Sequence, residues 1–192
     1  MTTELQRRRF TPEEYLAIER AAEFKSEYID GDIFAMSGAS YRHTMIAGNV
    51  YAHLHAQLRT RPCTVHMSDL RIATDPRRHY AYPDVVVTCD APQFVDDEFD
   101  TLTNPKVIVE VLSDSTEKYD RGAKFERYRG IATLTEYVLI AQDRVHLEIF
   151  ARQADGSWML RECSNPAETI ELVSIECRLN VAEIYEKVTF DA

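Results

Sequence analysis

The chain has 192 residues, 45% of them apolar and 28% charged, a balance that fits one globular domain over 1–192 and excludes disordered and fibrous classes. Against 22 basic residues stand 32 acidic ones, a formal net charge of −10. This argues against a protein that holds nucleic acid by charge alone, since such binders neutralise phosphates with surplus Lys and Arg. An enzyme that binds divalent cations escapes the exclusion, because the ion reverses the sign of a carboxylate site. No apolar run reaches the ~18 residues of a membrane span. The opening MTTELQRRRFTPEEYL shows no apolar leader segment, so a cytoplasmic chain without membrane contact is expected. Cys63, Cys89, Cys163 and Cys177 form no C-x-x-C pair and are expected as buried free thiols.

Thr11-Pro12-Glu13-Glu14 marks a helix start: a capping hydroxyl, proline at the first helical position, and acids on the positive dipole end. Asp30-Gly31 between alternating segments predicts a hairpin of Glu27–Ile29 and Asp32–Met36. Apolar residues at helical spacing (Met45, Ile46, Val50, Leu54, Leu58) predict a long helix over about Tyr41–Leu58. Strands are expected at Cys63–Met67 and Leu70–Thr74, then a polar loop at Pro76–His79. Val85–Thr88 and Val107–Leu112 are dense in β-branched residues, as in central strands buried on both faces. Asp96, Asp97, Glu98 and Asp100 read as a solvated acidic loop. A second helix is predicted over Thr116–Arg129, a strand pair at Glu136–Ala141 and Val145–Ala151, further strands at Trp158–Cys163 and Ile170–Leu172, and a closing helix at Val181–Lys187. This order suits an α/β fold with a central mixed sheet flanked by helices.

Two acids stand out by position. Asp84 follows Pro83 at the head of one apolar strand, and Glu110 lies inside another, in VIVEVL. An unpaired carboxylate in a central strand costs several kcal/mol unless a cation or partner neutralises it. A sheet-edge position or an arginine partner would explain Glu110 equally well. On the following helix, Asp120, Lys124 and Tyr128 lie four apart, on one face. Taken alone, that pattern is a surface Asp–Lys pair worth a few tenths of a kcal/mol.

In combination these residues resemble the PD-(D/E)xK nuclease superfamily, and more closely the Uma2 family of restriction-endonuclease-like proteins. The likeness is carried by Lys25–Ile33 (KSEYIDGDI), Tyr82–Val87 (YPDVVV), Pro105–Thr116 (PKVIVEVLSDST), Asp120–Tyr128 (DRGAKFERY) and Glu136–Ile140 (EYVLI). One departure stands out: where the superfamily carries lysine two residues after the second acid, this chain has Leu112. In the Uma2-like pattern the lysine comes from the next helix, at Lys124, and a long ammonium stem can reach back from there.

The resemblance implies a restriction-endonuclease-like architecture and metal-assisted phosphodiester hydrolysis, with Asp84, Glu110 and Lys124 as the catalytic set. Asp84 and Glu110 would hold Mg²⁺ or Mn²⁺, with Glu27 as a further ligand or outer carboxylate. Tyr128 and Ser113 are candidate phosphate or outer contacts, beside packing and strand capping as their plain roles. His43 is a candidate neighbour of the site, against the reading as an ordinary helix residue. The expected partner is nucleic acid, DNA first, with a homodimer offering two sites for two strands. Two rival readings stand beside this one: a nuclease-like fold that binds or assembles without cutting, favoured by the −10 charge and Leu112, and a metal phosphoesterase acting on a small substrate.

Overall fold

The computed structural model describes residues 8–190. The first seven residues of the opening segment read for a leader lie outside them. Helix α1 (Pro12–Ala21) starts as its sequence demands: Glu14 N–H donates to Thr11 Oγ1 and Thr11 N–H to the Glu14 carboxylate. Strands β1 (Ser26–Ile29) and β2 (Asp32–Ala35) form the expected hairpin, with Asp30 and Gly31 at φ +50° and +99°. Two successive positive φ values are what a two-residue turn needs to match strand twist, and Asp-Gly supplies them at least cost.

Helix α2 (Tyr41–Leu58) has the predicted limits. It lays Ile46, Val50, Leu54 and Leu58 on one face of a six-stranded sheet. That sheet runs β11 (Trp158–Cys163), β10 (Leu147–Arg152), β9 (Glu136–Ala141), β8 (Val107–Leu112), β6 (Val85–Thr88) and β3 (Thr64–Met67). The β8–β9 pair is parallel and its other pairs are antiparallel, so the sheet is mixed, as expected. Strands β6, β8 and β9 are buried along their whole length, which is why they read as aliphatic runs rather than alternating ones.

The sequence predicts one central sheet; among the described residues there are three. A second, five-stranded sheet joins β2 and β1 to β5 (His79–Ala81), β4 (Arg71–Asp75) and the two-residue β7 (Thr101–Leu102). His79, read as loop, opens β5, and β7 is too short to show any periodicity. Strand β12 (Thr169–Leu172) pairs with an unforeseen β13 (Cys177–Asn180), which precedes α5 (Val181–Ile184). The predicted helix at Thr116–Arg129 is also interrupted. It comprises α3 (Glu117–Tyr119), a π-helical turn (Asp120–Lys124) and α4 (Phe125–Tyr128).

Two further readings need correction. Asp96 and Asp100 are not simply solvated: both take hydrogen bonds from the Arg20 guanidinium on α1. Cys63 and Cys89 are not free thiols but a disulfide. The antiparallel register Thr64↔Thr88 sets them opposite one another one step further along, a juxtaposition invisible in linear spacing. Cys163 and Cys177 are free and buried, as expected. Among the described residues, no helix is long and apolar enough to cross a membrane.

Candidate active site

The β6–β8 ladder ends on the acids. Its register pairs Val85 with Val109, so Asp84 stands opposite Glu110 at the next step. There the backbone pairing gives way to a side chain, and Val111 N–H donates to Asp84 Oδ2 at 2.7 Å. The other Asp84 oxygen lies 2.8 Å from His43 Nε2. His43 is delivered by the first turn of α2, where Ser40 caps its N–H. The helix residue is therefore a direct neighbour of Asp84.

Glu110 points to the opposite face of the sheet from α2, toward the Tyr128 and Tyr137 side, and is only 4% exposed. Tyr128 donates to its Oε1 at 2.8 Å, and Lys124 Nζ approaches the same oxygen at 2.8 Å. The ammonium also lies 3.3 Å from Glu27 on β1 and 3.4 Å from Asp120. Lys124 is itself 5% exposed, with the rings of Tyr119 and Tyr128 each 5.9 Å from its nitrogen. One cation thus serves three carboxylates, while Asp84 supplies a fourth acid beside Glu110.

That surplus shows in the proton affinities. Burial drives the Glu110 carboxyl well above its usual range, Asp120 and Asp84 add to the rise, and Lys124 opposes it. Burial alone would pull the Lys124 ammonium down. Glu110 above all, with Tyr128, Glu27 and Asp120, outweighs it and holds the amine well above its ordinary value. Burial likewise raises the Tyr128 hydroxyl, keeping it a donor to Glu110. Behind this cluster, His79 sits between the hydroxyls of Thr74 and Tyr119. Burial, helped by the charges of Arg127 and Lys124, lowers it to about 3, so it is neutral.

Asp84, Glu110, Lys124, Glu27, Tyr128 and His43 therefore lie in one cluster, and Ser113 bonds elsewhere. Ser113 engages Ser115 and Thr116 side chains and accepts from Thr116 and Glu117 N–H groups, which is the work of starting a helix. Asp120 was missed as a member. Its signal was present in the i,i+4 spacing to Lys124, discounted as a surface pair, whereas both are buried. Leu112 belongs to the apolar cluster around Phe125 and Tyr137, so the position where the superfamily carries its lysine faces packing here. A separate group, His146, Glu148 and Glu162, brings ligand atoms together across β10 and β11, but Glu148 is held by Arg121.

The donor set of the main cluster fits a hard divalent cation: Asp84, Glu110 and Glu27 offer carboxylate oxygens. A carboxylate has about four lone-pair sites. Asp84 uses its two oxygens once each, and both donors to Glu110 meet Oε1, so acceptor capacity remains.

Comparison with known proteins bears on the family and the fold. The model of the Uma2 family, described as "Putative restriction endonuclease", matches residues 12–182. Two uncharacterized proteins of Synechocystis sp. are similar along nearly their whole length. Slr1290 is 36% identical over 182 residues, covering 95% of this chain and 94% of that one. Sll1609 is 37% identical over 161 residues, covering 84% and 91%. The crystal structure of a putative nuclease belonging to DUF820 from Anabaena variabilis superposes with a TM-score of 0.77. It is 17% identical and covers 94% of this chain and 99% of its own, which establishes the shared nuclease-type fold. On the family match and these relatives together, the chain belongs to the Uma2 family of restriction-endonuclease-like proteins.

Proposed function

We propose that this chain hydrolyses phosphodiester bonds in nucleic acid, DNA first among substrates, with Mg²⁺ or Mn²⁺ held by Asp84, Glu110 and Glu27. The observation that carries the reading is the Lys124 ammonium lying between Glu110 and Glu27, beside the strand end where Asp84 faces Glu110. When bound, the cation would supply Lewis acidity toward a phosphoryl oxygen and lower the pKa of an attacking water. The remaining roles belong to the protein. Lys124, kept charged by its acidic surroundings, donates to the phosphate as negative charge builds on it. Tyr128 fixes the Glu110 carboxylate, and His43 with Val111 N–H fixes that of Asp84. A homodimer would present two such clusters to two strands, and sedimentation as a monomer alone would remove that part of the reading.

The test is cleavage of supercoiled and linear DNA with Mg²⁺ or Mn²⁺ at low salt. Asp84→Ala, Glu110→Gln and Lys124→Ala should each lower cutting by 100-fold or more, roughly the scale of a lost transition-state donor, in protein that still shows a cooperative melt. DNA retained on filters by wild-type protein but left intact under both metals would favour the non-cleaving reading. Hydrolysis confined to a small phosphodiester would favour the phosphoesterase.

A further inference from the structure

The acids of the cluster come from distant segments, and one buried residue outside the cluster holds two of those segments. Glu19, near the end of α1, is 7% exposed, and its bonds run to Ser26 and Tyr82 rather than to Lys124. Its Oε1 accepts from Ser26 N–H at 2.8 Å and from the Tyr82 hydroxyl at 2.9 Å. Its Oε2 accepts from the Ser26 hydroxyl. Ser26 immediately precedes Glu27, and Tyr82 precedes Asp84 by one proline. A single carboxylate thus grips the residue next to one site acid and a residue two before another.

The grip is reinforced from both sides. Tyr15 of α1 donates to the Ser26 carbonyl at 2.6 Å, so the Ser26 N–H, carbonyl and hydroxyl are all held by α1. Arg71, 3% exposed, donates to the Tyr82 oxygen at 2.9 Å, and its guanidinium is fixed in turn by Thr101 and Asp100. A second strap runs through Lys25, which donates to the Ser68 carbonyl at 2.9 Å, while Ser68 N–H donates to the Asp84 carbonyl at 3.1 Å. Pro83 between Tyr82 and Asp84 removes one soft torsion from the link. The buried polar groups of such a network are satisfied together or not at all, so losing one member loosens the rest.

From this geometry we infer that Glu19 is a positioning residue: through Ser26 and Tyr82 it sets the distance of Glu27 from Asp84 and Glu110, and with it the site's grip on Lys124 and on a divalent cation. The cation half of this inference rests on the proposed metal-dependent activity; the Lys124 half does not. Outer partners of metal ligands typically change affinity 10- to 100-fold when removed.

The experiment uses the full chain and four variants, with two readouts. In the metal-free protein, the ammonium ¹⁵N resonance of Lys124 is followed by NMR. Mn²⁺ affinity is then measured by the loss of the free-ion electron paramagnetic resonance signal. Glu19→Gln and Tyr82→Phe should both move or broaden the Lys124 resonance and weaken Mn²⁺ binding about 10-fold. Glu136→Gln is the structural control. Glu136 is equally buried but bonds Val173 and Ser174 N–H groups at the far end of β9, so it should lose stability while leaving both readouts at wild-type values. Asp84→Ala should abolish Mn²⁺ binding. A Lys124 resonance unchanged in Glu19→Gln and Tyr82→Phe, or shifted as much in Glu136→Gln, overturns the inference. A wild-type chain that takes up no Mn²⁺ overturns the metal-dependent activity and the cation half, while the Lys124 readout still decides the rest.

Discussion

Replacing Lys124 by methionine tests whether the cluster is an ion network or a packed accident. The substitution keeps the length of the stem and removes the charge, leaving Glu27, Glu110 and Asp120 at 3.3, 2.8 and 3.4 Å from a vanished ammonium. Removing one partner of a buried ion pair costs about 3–5 kcal/mol because the survivor stays buried and uncompensated. With one cation shared by three acids, the upper end applies, about 5 kcal/mol at pH 8. Domains of this kind have about 5–15 kcal/mol in all, so the variant should keep a cooperative melt with a much reduced margin there. The penalty has a definite pH dependence. Glu110 already has its folded-state affinity for protons raised above the ordinary 4.5, and without Lys124 it rises further. A raised folded pKa contributes stability that is complete below the unfolded value and is lost as pH rises through the folded one. The variant should therefore approach wild type near pH 4–5 and fall away toward pH 8. Urea unfolding followed by circular dichroism at both pH values measures this, and adding Glu110→Gln to Lys124→Met should recover more than half of the loss. A penalty below about 1 kcal/mol at pH 8, or one that is the same at both pH values, would refute the network.

Two further outcomes follow from groups around the site. His79 has its folded pKa lowered to about 3, by burial first and then by Arg127 and Lys124, so the unfolded chain takes up a proton between about pH 6.5 and 3 that the folded chain refuses. Wild-type stability should fall across that window as pH drops, and in His79→Gln the slope should be shallower by one proton, about 1.4 kcal/mol per pH unit; an unchanged slope in urea titrations would show that His79 is accessible to protons. The Cys63–Cys89 bridge closes a loop of sequence separation 26, which the chain-entropy account values at about 3.5 kcal/mol. Reductant should lower the urea midpoint of the wild type accordingly and leave Cys63→Ser unmoved, whereas equal midpoints with and without reductant would mean that the bridge adds nothing.

What the sequence disclosed and what it hid divide along physical lines. Elements with a strong local signal were legible: the cap at Thr11, the Asp30-Gly31 turn, the periodicity of Tyr41–Leu58 and the aliphatic runs at Val85 and Val107. Strands as short as Thr101–Leu102, and pairings made by register such as Cys63 opposite Cys89, have no local signature at all. The same holds for Glu19, whose partners Ser26 and Tyr82 lie 7 and 63 residues away in sequence. Glu110 could be singled out because a charge inside an apolar strand is costly wherever it falls, and Asp84 because it follows Pro83 at the head of another such strand.

The helix after β8 shows where local reasoning was right in its list and incomplete in its cause. Asp120, Lys124 and Tyr128 were placed on one face by their spacing of four. In an unbroken α-helix each such step advances about 40°, so Asp120 and Tyr128 would stand roughly 80° apart, too far for both to address Glu110 and its lysine. The π-helical turn at Asp120–Lys124 changes that sum. At roughly 4.4 residues per turn its step falls short of a full circle by about 30°, offsetting most of the following α step, so Asp120 and Tyr128 return to within about 10° of one line with Lys124 about 30–40° to one side. Tyr137 holds the turn against the sheet by donating to the Asp120 carbonyl at 3.1 Å. With Leu112 committed to the apolar core, a lysine from this helix can reach Glu110, and it is the extra width of one turn that lets Lys124 do so with Asp120 and Tyr128 beside it.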